Sequence, residues 1–180
     1  TFFDQANPAE RTIYALKLDS DGRYQVDRLL VSEDAAYKSA YLYTAGGRLK
    51  EIDQIDKVTG EVTKSFYNST GKLDHITLSD GTTQYYNSDG LIKKVIKADG
   101  TLEQYYYDSQ KRLTLIKTTM PDKTIIEQNV LTGEIKTTSP DGTVTIQQAS
   151  GATTITFPDG SQQIISADRL SQRIISPTGE

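Results

Sequence analysis

The chain has 180 residues, 20 basic and 24 acidic, with one histidine and no cysteine. That is enough for one domain or a run of repeats, but not for a disulfide framework, a thiol nucleophile or most metal and triad chemistry. The charge of −4 divides as 10 Lys/Arg against 14 Asp/Glu over residues 1–90 and 10 against 10 over 91–180, which leaves no basic field to gather phosphates, and no apolar run nears the roughly 18–20 residues of a membrane helix, so neither nucleic acid nor membrane insertion is expected.

In chain order, Asn7-Pro8-Ala9-Glu10 reads as a capped first helical turn, residues 12–18 as a strand, Asp21-Gly22 as a turn and residues 32–36 as a second short helix-like signal. From Gly46-Gly47 a turn signal recurs about every ten residues: Thr59-Gly60, Thr70-Gly71, Asp80-Gly81, Asp89-Gly90, Asp99-Gly100, Thr132-Gly133, Asp141-Gly142, Ser150-Gly151, Asp159-Gly160 and Thr178-Gly179. Gln110-Lys111, Asp122-Lys123 and Asp168-Arg169 keep the beat without glycine, and Pro121, Pro140, Pro158 and Pro177 stand beside turns, where a missing N–H costs least. Between beats lie short segments rich in Thr, Ile, Val and Tyr, such as 143–148 and 152–157. The fold predicted is all-β, an extended antiparallel meander of about 15 short hairpin-linked strands in a single-layer or spiralling sheet. It reads as one array over 1–180, with a charged, Tyr-rich zone over 1–131 and a Thr/Gln/Ile-rich zone over 132–180; between 137 and 167 the charged residues are Asp141 and Asp159. The start at Thr1 predicts excision from a longer polypeptide.

If each Asp-Gly or Thr-Gly pair is a two-residue type I′ loop, the register follows. One row then reads Phe66, His75, Tyr86, Lys93, Tyr106, Leu115, and the row on the other face reads Ser65, Ile76, Tyr85, Lys94, Tyr105, Ile116. Each lysine stands between two tyrosines, an arrangement suited to cation–π contact.

Tyr67-Asn68-Ser69-Thr70-Gly71, Tyr86-Asn87-Ser88-Asp89-Gly90 and Tyr107-Asp108-Ser109-Gln110-Lys111, with a looser copy at Tyr43, resemble the tyrosine–aspartate (YD) repeats of the RHS family over roughly residues 43–142. That resemblance implies a secreted or surface-exposed protein with a long spiralling sheet. Only the copy at Tyr107 carries the tyrosine–aspartate pair itself. Pro140-Asp141-Gly142 and Phe157-Pro158-Asp159-Gly160 resemble the centriolar G-box, an open single-layer sheet that binds a partner peptide. In shape the array is also similar to β-meander insertions of bacterial glycosyltransferases, which help hold protein acceptors.

The candidate binding residues are Tyr85, Tyr86, Lys93, Lys94, Tyr105, Tyr106 and Tyr107, suited to a sugar ring or a peptide; the plainer reading is cross-strand packing. His75 has no second histidine or cysteine to work with, and Asp53 and Asp56, three apart on a strand, face opposite sides. The turn aspartates read as turn chemistry rather than calcium ligands, and no metal or other cofactor is expected. The sequon Asn68-Ser69-Thr70 lies at a hairpin tip. Residues 161–166 carry neither charge nor proline, so Ile164, Ile165, Ile174 and Ile175 are the expected edge-pairing residues, for a second copy or a partner strand. The function expected is a non-enzymatic structural or interaction module; the extracellular or cell-surface placement follows from the YD resemblance alone. The alternative is an acceptor- or glycan-binding accessory sheet of a larger enzyme.

Overall fold

Each chain reversal needs a residue that tolerates positive φ and an acceptor for the amides the turn leaves over. The computed structural model describes residues 2–3 and 11–178 and meets both needs with the same few residue types. At the Leu78–Thr82 reversal, Leu78 N–H donates to Thr82 O at 2.9 Å and Gly81 N–H to Leu78 O at 3.0 Å. The loop therefore holds three residues, a type I turn closed by Gly81 at φ 85°. Most other reversals repeat this pattern. The two-residue type I′ expectation is corrected: that turn needs positive φ at two successive residues, and here only the last loop residue has it. Lys111 (φ 65°), Lys123 (φ 76°) and Arg169 (φ 60°) occupy the glycine position on the beats that lack glycine.

Asx side chains complete the turns in two ways. Asn68, Asn87 and Asp108 stand before the loop, and each Oδ1 accepts from the amides two and four residues on, at 2.8–3.1 Å. Asp80, Asp99, Asp122, Asp141 and Asp159 stand inside the loop and accept from the amide just past it, at 2.8–2.9 Å. Within each unit the two forms largely mark opposite edges, because successive hairpins point opposite ways. Basic side chains stitch neighbouring tips of one edge together: Arg48 Nη1 donates to Ser69 O at 2.7 Å and Lys72 Nζ to Ser88 O at 2.8 Å.

The described residues form 17 strands and no helix. Two compact units are present, Thr1–Ile92 and Lys93–Glu180. In the first, β1 (Phe2–Phe3), β2 (Arg11–Leu18), β3 (Tyr24–Glu33), β4 (Tyr37–Tyr43), β5 (Leu49–Asp56), β6 (Val62–Tyr67), β7 (Leu73–Thr77) and β8 (Thr83–Tyr86) pair antiparallel in chain order. In the second, β9 (Ile92–Ile96), β10 (Leu102–Tyr107), β11 (Leu113–Thr119), β12 (Ile125–Asn129), β13 (Ile135–Thr138), β14 (Val144–Gln147), β15 (Thr153–Thr156), β16 (Gln162–Ile165) and β17 (Gln172–Ile175) do the same. Within a unit each strand touches only its sequence neighbours. Both faces are therefore open, and Val95, 6% exposed, is the one buried apolar side chain among the described residues. The helix-like signal at residues 32–36 is the β3–β4 reversal, where Asp34 Oδ1 accepts from Ala36 and Tyr37 N–H. The first-turn signal at Asn7-Pro8-Ala9-Glu10 and the beat at Gly179 lie outside the described residues. The change of composition near Leu131 falls in the β12–β13 hairpin.

A loop one residue longer than expected slips the register by one and moves side chains to the other face. His75 accordingly pairs with Tyr85 rather than Tyr86, and Lys94 with Gln104 rather than Tyr105. Lys93 thus shares the face of Tyr105 and Lys94 that of Tyr106, the reverse of the expected rows. Where a β-bulge restores the extra residue, the expected pairs stand: Phe66 with His75, Ser65 with Ile76, Tyr105 with Ile116 and Tyr106 with Leu115.

Two predictions follow from the turns. Gly100 has φ 87° and nothing within 4 Å of an added Cβ, so Gly100→Ala should cost about 1–2 kcal/mol through backbone strain alone, while Lys123→Gly should gain up to about 1 kcal/mol; urea unfolding checks both signs. Backbone N–H donors hold the Asp99 and Asp122 carboxyls below their ordinary value, as at Asp34, Asp56 and Asp108. Their contribution to stability is complete above the unfolded value near 4 and is lost as pH falls through the lower folded values. Asp99→Asn with Asp122→Asn, copying Asn68 and Asn87, should reduce the stability lost between neutral and strongly acid pH; an unchanged pH profile would show that these caps do not titrate with folding.

Candidate functional site

The largest exposed apolar group lies on the long β2–β3 hairpin. Alternation along both strands places Leu16 opposite Val26 and Leu18 opposite Tyr24 on one face. They are 46%, 56%, 59% and 74% exposed respectively, and Tyr14 continues the face. The other face is polar: Asp27 meets Arg28 at 2.6 Å and Lys17 at 3.7 Å. β4 pairs with β3 only through Val31–Glu33, so the distal half of this hairpin has no neighbour on the β4 side. The sequence reading took residues 12–18 as a strand without marking this face. The signal was the apolar residue at every second position from 14 to 18, answered at 24 and 26.

A second surface grows from β5 to β8. Register aligns Glu51, Phe66, His75 and Tyr85 in one row. The Phe66 and His75 rings stack at 4.3 Å between centroids with planes 16° apart, and His75 and Tyr85 follow at 5.2 Å and 30°. The bulge that skips Asp74 sets its carboxylate beside the imidazole, with His75 Nδ1 2.8 Å from Asp74 Oδ2. Next on that face, Lys64 Nζ lies 2.9 Å from Asp53 and 3.3 Å from Glu51, and hydrogen bonds to these carboxylates, Asp53 first, raise the ammonium pKa. Asp53 Oδ1 is buried without a hydrogen-bond partner. Asp56 instead caps the β5–β6 turn through Val58 and Thr59 N–H.

In the second unit Tyr105 Oη donates to Glu103 Oε2 at 2.7 Å, and Glu103 meets Lys97 at 2.6 Å. Burial, reinforced by the Glu103 carboxylate, pushes the Tyr105 phenol up to about 12. Burial also raises Tyr107, Tyr106 is 43% exposed, and Tyr86 Oη donates to Gln84 at 3.1 Å. Among the described residues, the cation–π contact is Arg28 over Tyr43, at 5.4 Å. Of the seven residues nominated from sequence, Tyr85 and Tyr86 belong to the first unit and Lys93, Lys94, Tyr105, Tyr106 and Tyr107 to the second. Of the edge candidates, Ile164 and Ile165 are paired on both sides, while Ile174 and Ile175 belong to β17, the last described strand. A shallow depression of about 310 Å³, lined by Thr132, Glu134, Gln148, Ala149 and Ser150, brings together no acid–base or nucleophilic pair. Among the described residues no cluster of three or more His, Asp or Glu is placed to hold a metal ion, and no helix is long and apolar enough to cross a membrane.

No protein-family model matches the sequence, and no curated protein matches it. The fold is similar to the TCP10 domain of CPAP from Danio rerio, solved with a peptide of STIL, at 18% identity over 93% of this chain and 81% of that one, TM-score 0.60. It is also similar to the TCP domain of SAS-4 (dCPAP) from Drosophila melanogaster, solved with a proline-rich motif of Ana2 (dSTIL), at 15% identity over 79% of this chain and 86% of that one, TM-score 0.58. Both are protein-interaction domains captured with a partner peptide. The YD/RHS resemblance is thereby corrected in favour of the G-box-like one, and neither similarity supports the glycosyltransferase or glycan-binding alternative. The extracellular or cell-surface placement is corrected with it, since it rested on that resemblance alone. The turns explain the shared letters: Asx before the loop and glycine at its end are what a three-residue reversal requires, whatever the ancestry.

One prediction comes from Tyr105. Its phenol should ionise near 12 in an ultraviolet titration. Glu103→Gln should bring it down part of the way, because burial, the larger cause, remains; an unchanged midpoint would remove Glu103 as a contributor.

Proposed function

We propose that this chain is a non-enzymatic protein-binding module that takes an extended, proline-rich peptide on the open surface of its first unit. The observation that carries the reading is the apolar face of the β2–β3 hairpin, since contiguous exposed apolar groups on a folded protein mark interaction sites. Leu16, Leu18, Tyr24 and Val26 offer a flat aromatic and aliphatic platform, the kind of surface on which a preformed polyproline helix docks with little ordering cost. The proline-rich motif of Ana2 solved with the Drosophila domain supports this class of ligand, and the STIL peptide solved with the Danio rerio domain supports peptide binding. The stacked row ending at Tyr85 lies on the opposite face of the unit, the one that carries Lys17, and takes no part in this contact; Tyr105 and Tyr107 are held for packing by their burial.

The test is calorimetric titration of the chain with a synthetic proline-rich peptide such as the Ana2 motif. Leu18→Lys with Tyr24→Lys should weaken binding at least about tenfold, as expected for loss of two anchoring side chains, with far-UV circular dichroism unchanged. Absence of binding to the parent chain, or equal binding by the double variant, would refute the reading.

A second reading, self-association through β17, is favoured by Ile174, 68% exposed on the last described strand. Sedimentation velocity should then show mass rising with concentration and Ile174→Lys abolishing the rise; a monomer at all concentrations would count against it.

A further inference from the structure

From β11 to β17 the two faces of the second unit differ in charge more than in hydrophobicity. Register from β11 to β17 aligns Lys117, Glu127, Lys136, Ile146, Ile164 and Arg173 along one face, with Thr154 between the isoleucines. Lys117 and Lys136 share one carboxylate, Glu127, at 3.5 and 3.6 Å. Two ammonium groups against one carboxylate leave a positive charge uncompensated, and pairs this long and this wet bind one another weakly. Arg173 adds a third cation at the far end of the row, exposed on β17. The other acid on this face is Glu134, at the hairpin margin. The nearby turn aspartates Asp122, Asp141 and Asp159 are engaged by their own backbone amides and lie at the opposite edge of the unit. The neighbouring row on the same face carries no charge over these strands, and Ile125 and Val144 project from it beside the cations. On the reverse face Glu103 is held by Lys97 and Tyr105.

We propose that this cationic face of the second unit is a docking surface for an acidic extended peptide, separate from the β2–β3 surface and independent of it. From Lys136 on β13 to Arg173 on β17 the row crosses four strand spacings, roughly 19 Å, which an extended chain spans in about six residues. The complementary ligand thus has carboxylates about six positions apart with β-branched residues between them, the carboxylates meeting Lys136 and Arg173 and the middle lying over Ile146 and Ile164. Charge complementarity selects this occupant. A nucleic-acid strand carries a charge about every 3.4 Å and is bound by denser cation tracks with stacking aromatics, whereas the strands β12 to β17 hold no aromatic residue and Phe157 stands in the β15–β16 reversal.

The experiment is fluorescence anisotropy of the full chain with a labelled octapeptide, Glu-Glu-Val-Thr-Val-Thr-Glu-Glu. Binding should appear at low salt and weaken steadily as salt is raised. Lys117→Glu with Lys136→Glu should weaken it at least about tenfold, and Arg173→Glu severalfold. Glu127→Gln, which frees both lysines, should tighten it severalfold, and Lys93→Glu on the reverse face should leave it unchanged. Should the double reversal unfold the chain, the milder Lys136→Gln, checked by circular dichroism, must still weaken binding. The proposal is overturned if the octapeptide does not bind, if its Lys-for-Glu counterpart binds as well, if Glu127→Gln has no effect, or if single-stranded DNA binds more tightly than the peptide.

Discussion

A chain reversal closed by one left-handed residue and one Asx acceptor is the constraint on which the rest of this protein depends. With one apolar side chain buried among the described residues, burial cannot hold strands in register as it does where a sheet covers a core. What remains is local: turns that admit one geometry, cross-strand pairs of about 0.2–1 kcal/mol each, and ring stacks such as Phe66 on His75. Loop length therefore decides which side chains share a face. At Leu78–Thr82 the third loop residue puts Tyr85 beside His75; at Asn68–Lys72 the same loop is followed by a bulge that returns the pairing of Phe66 with His75 and swings Asp74 toward the imidazole.

This explains what the sequence could and could not disclose. The beat of turns was legible, including the positions without glycine: Lys111, Lys123 and Arg169 do adopt positive φ. The strand count and the meander were legible too, because alternating Thr, Ile and Tyr between turns has no helical competitor. Loop length was not. Asp-Gly satisfies both a two-residue type I′ turn and the last two places of a three-residue loop, and nothing in the letters separates them. Pairs in both expected rows consequently moved by one residue, and with them the neighbours of Lys93 and Lys94 on β10. The exposed face of β2–β3 was legible only in part. Alternation marks Leu16, Leu18, Tyr24 and Val26 as companions, but their exposure depends on β4 stopping short, a tertiary fact.

The same physics accounts for the resemblance that misled. Tyr-Asx-Ser-x-Gly combines a β-former that ends a strand, an acceptor for two amides, and a left-handed closer. Asn68, Asn87 and Asp108 each perform that task with their own Oδ1. Any array of such hairpins converges on these letters, so they report geometry rather than kinship. The likeness to the CPAP and SAS-4 domains concerns a different property, the open sheet itself, and it survives identities of 18% and 15% because few positions are fixed by a core.

A layer wet on both sides also changes what its surface residues are free to encode. In a sheet packed on a core, one face must be apolar and its charges are excluded by desolvation. Here neither face bears that burden, so threonine mixes with aliphatic β-branched residues on both, as in Ile125–Thr138–Val144–Thr156 on one and Ile126–Thr137–Thr145–Ile155 on the other. With apolar content nearly matched, the faces of the second unit are told apart chiefly by where Lys117, Lys136 and Arg173 stand. Those cations are not needed to form the strands, since β14 and β15 pair with no charge at all. Alternation then assigns each charge to one side of the layer, and a one-residue change of register would transfer the whole set to the other. Turn geometry thus fixes the polarity of the surface as well as the fold.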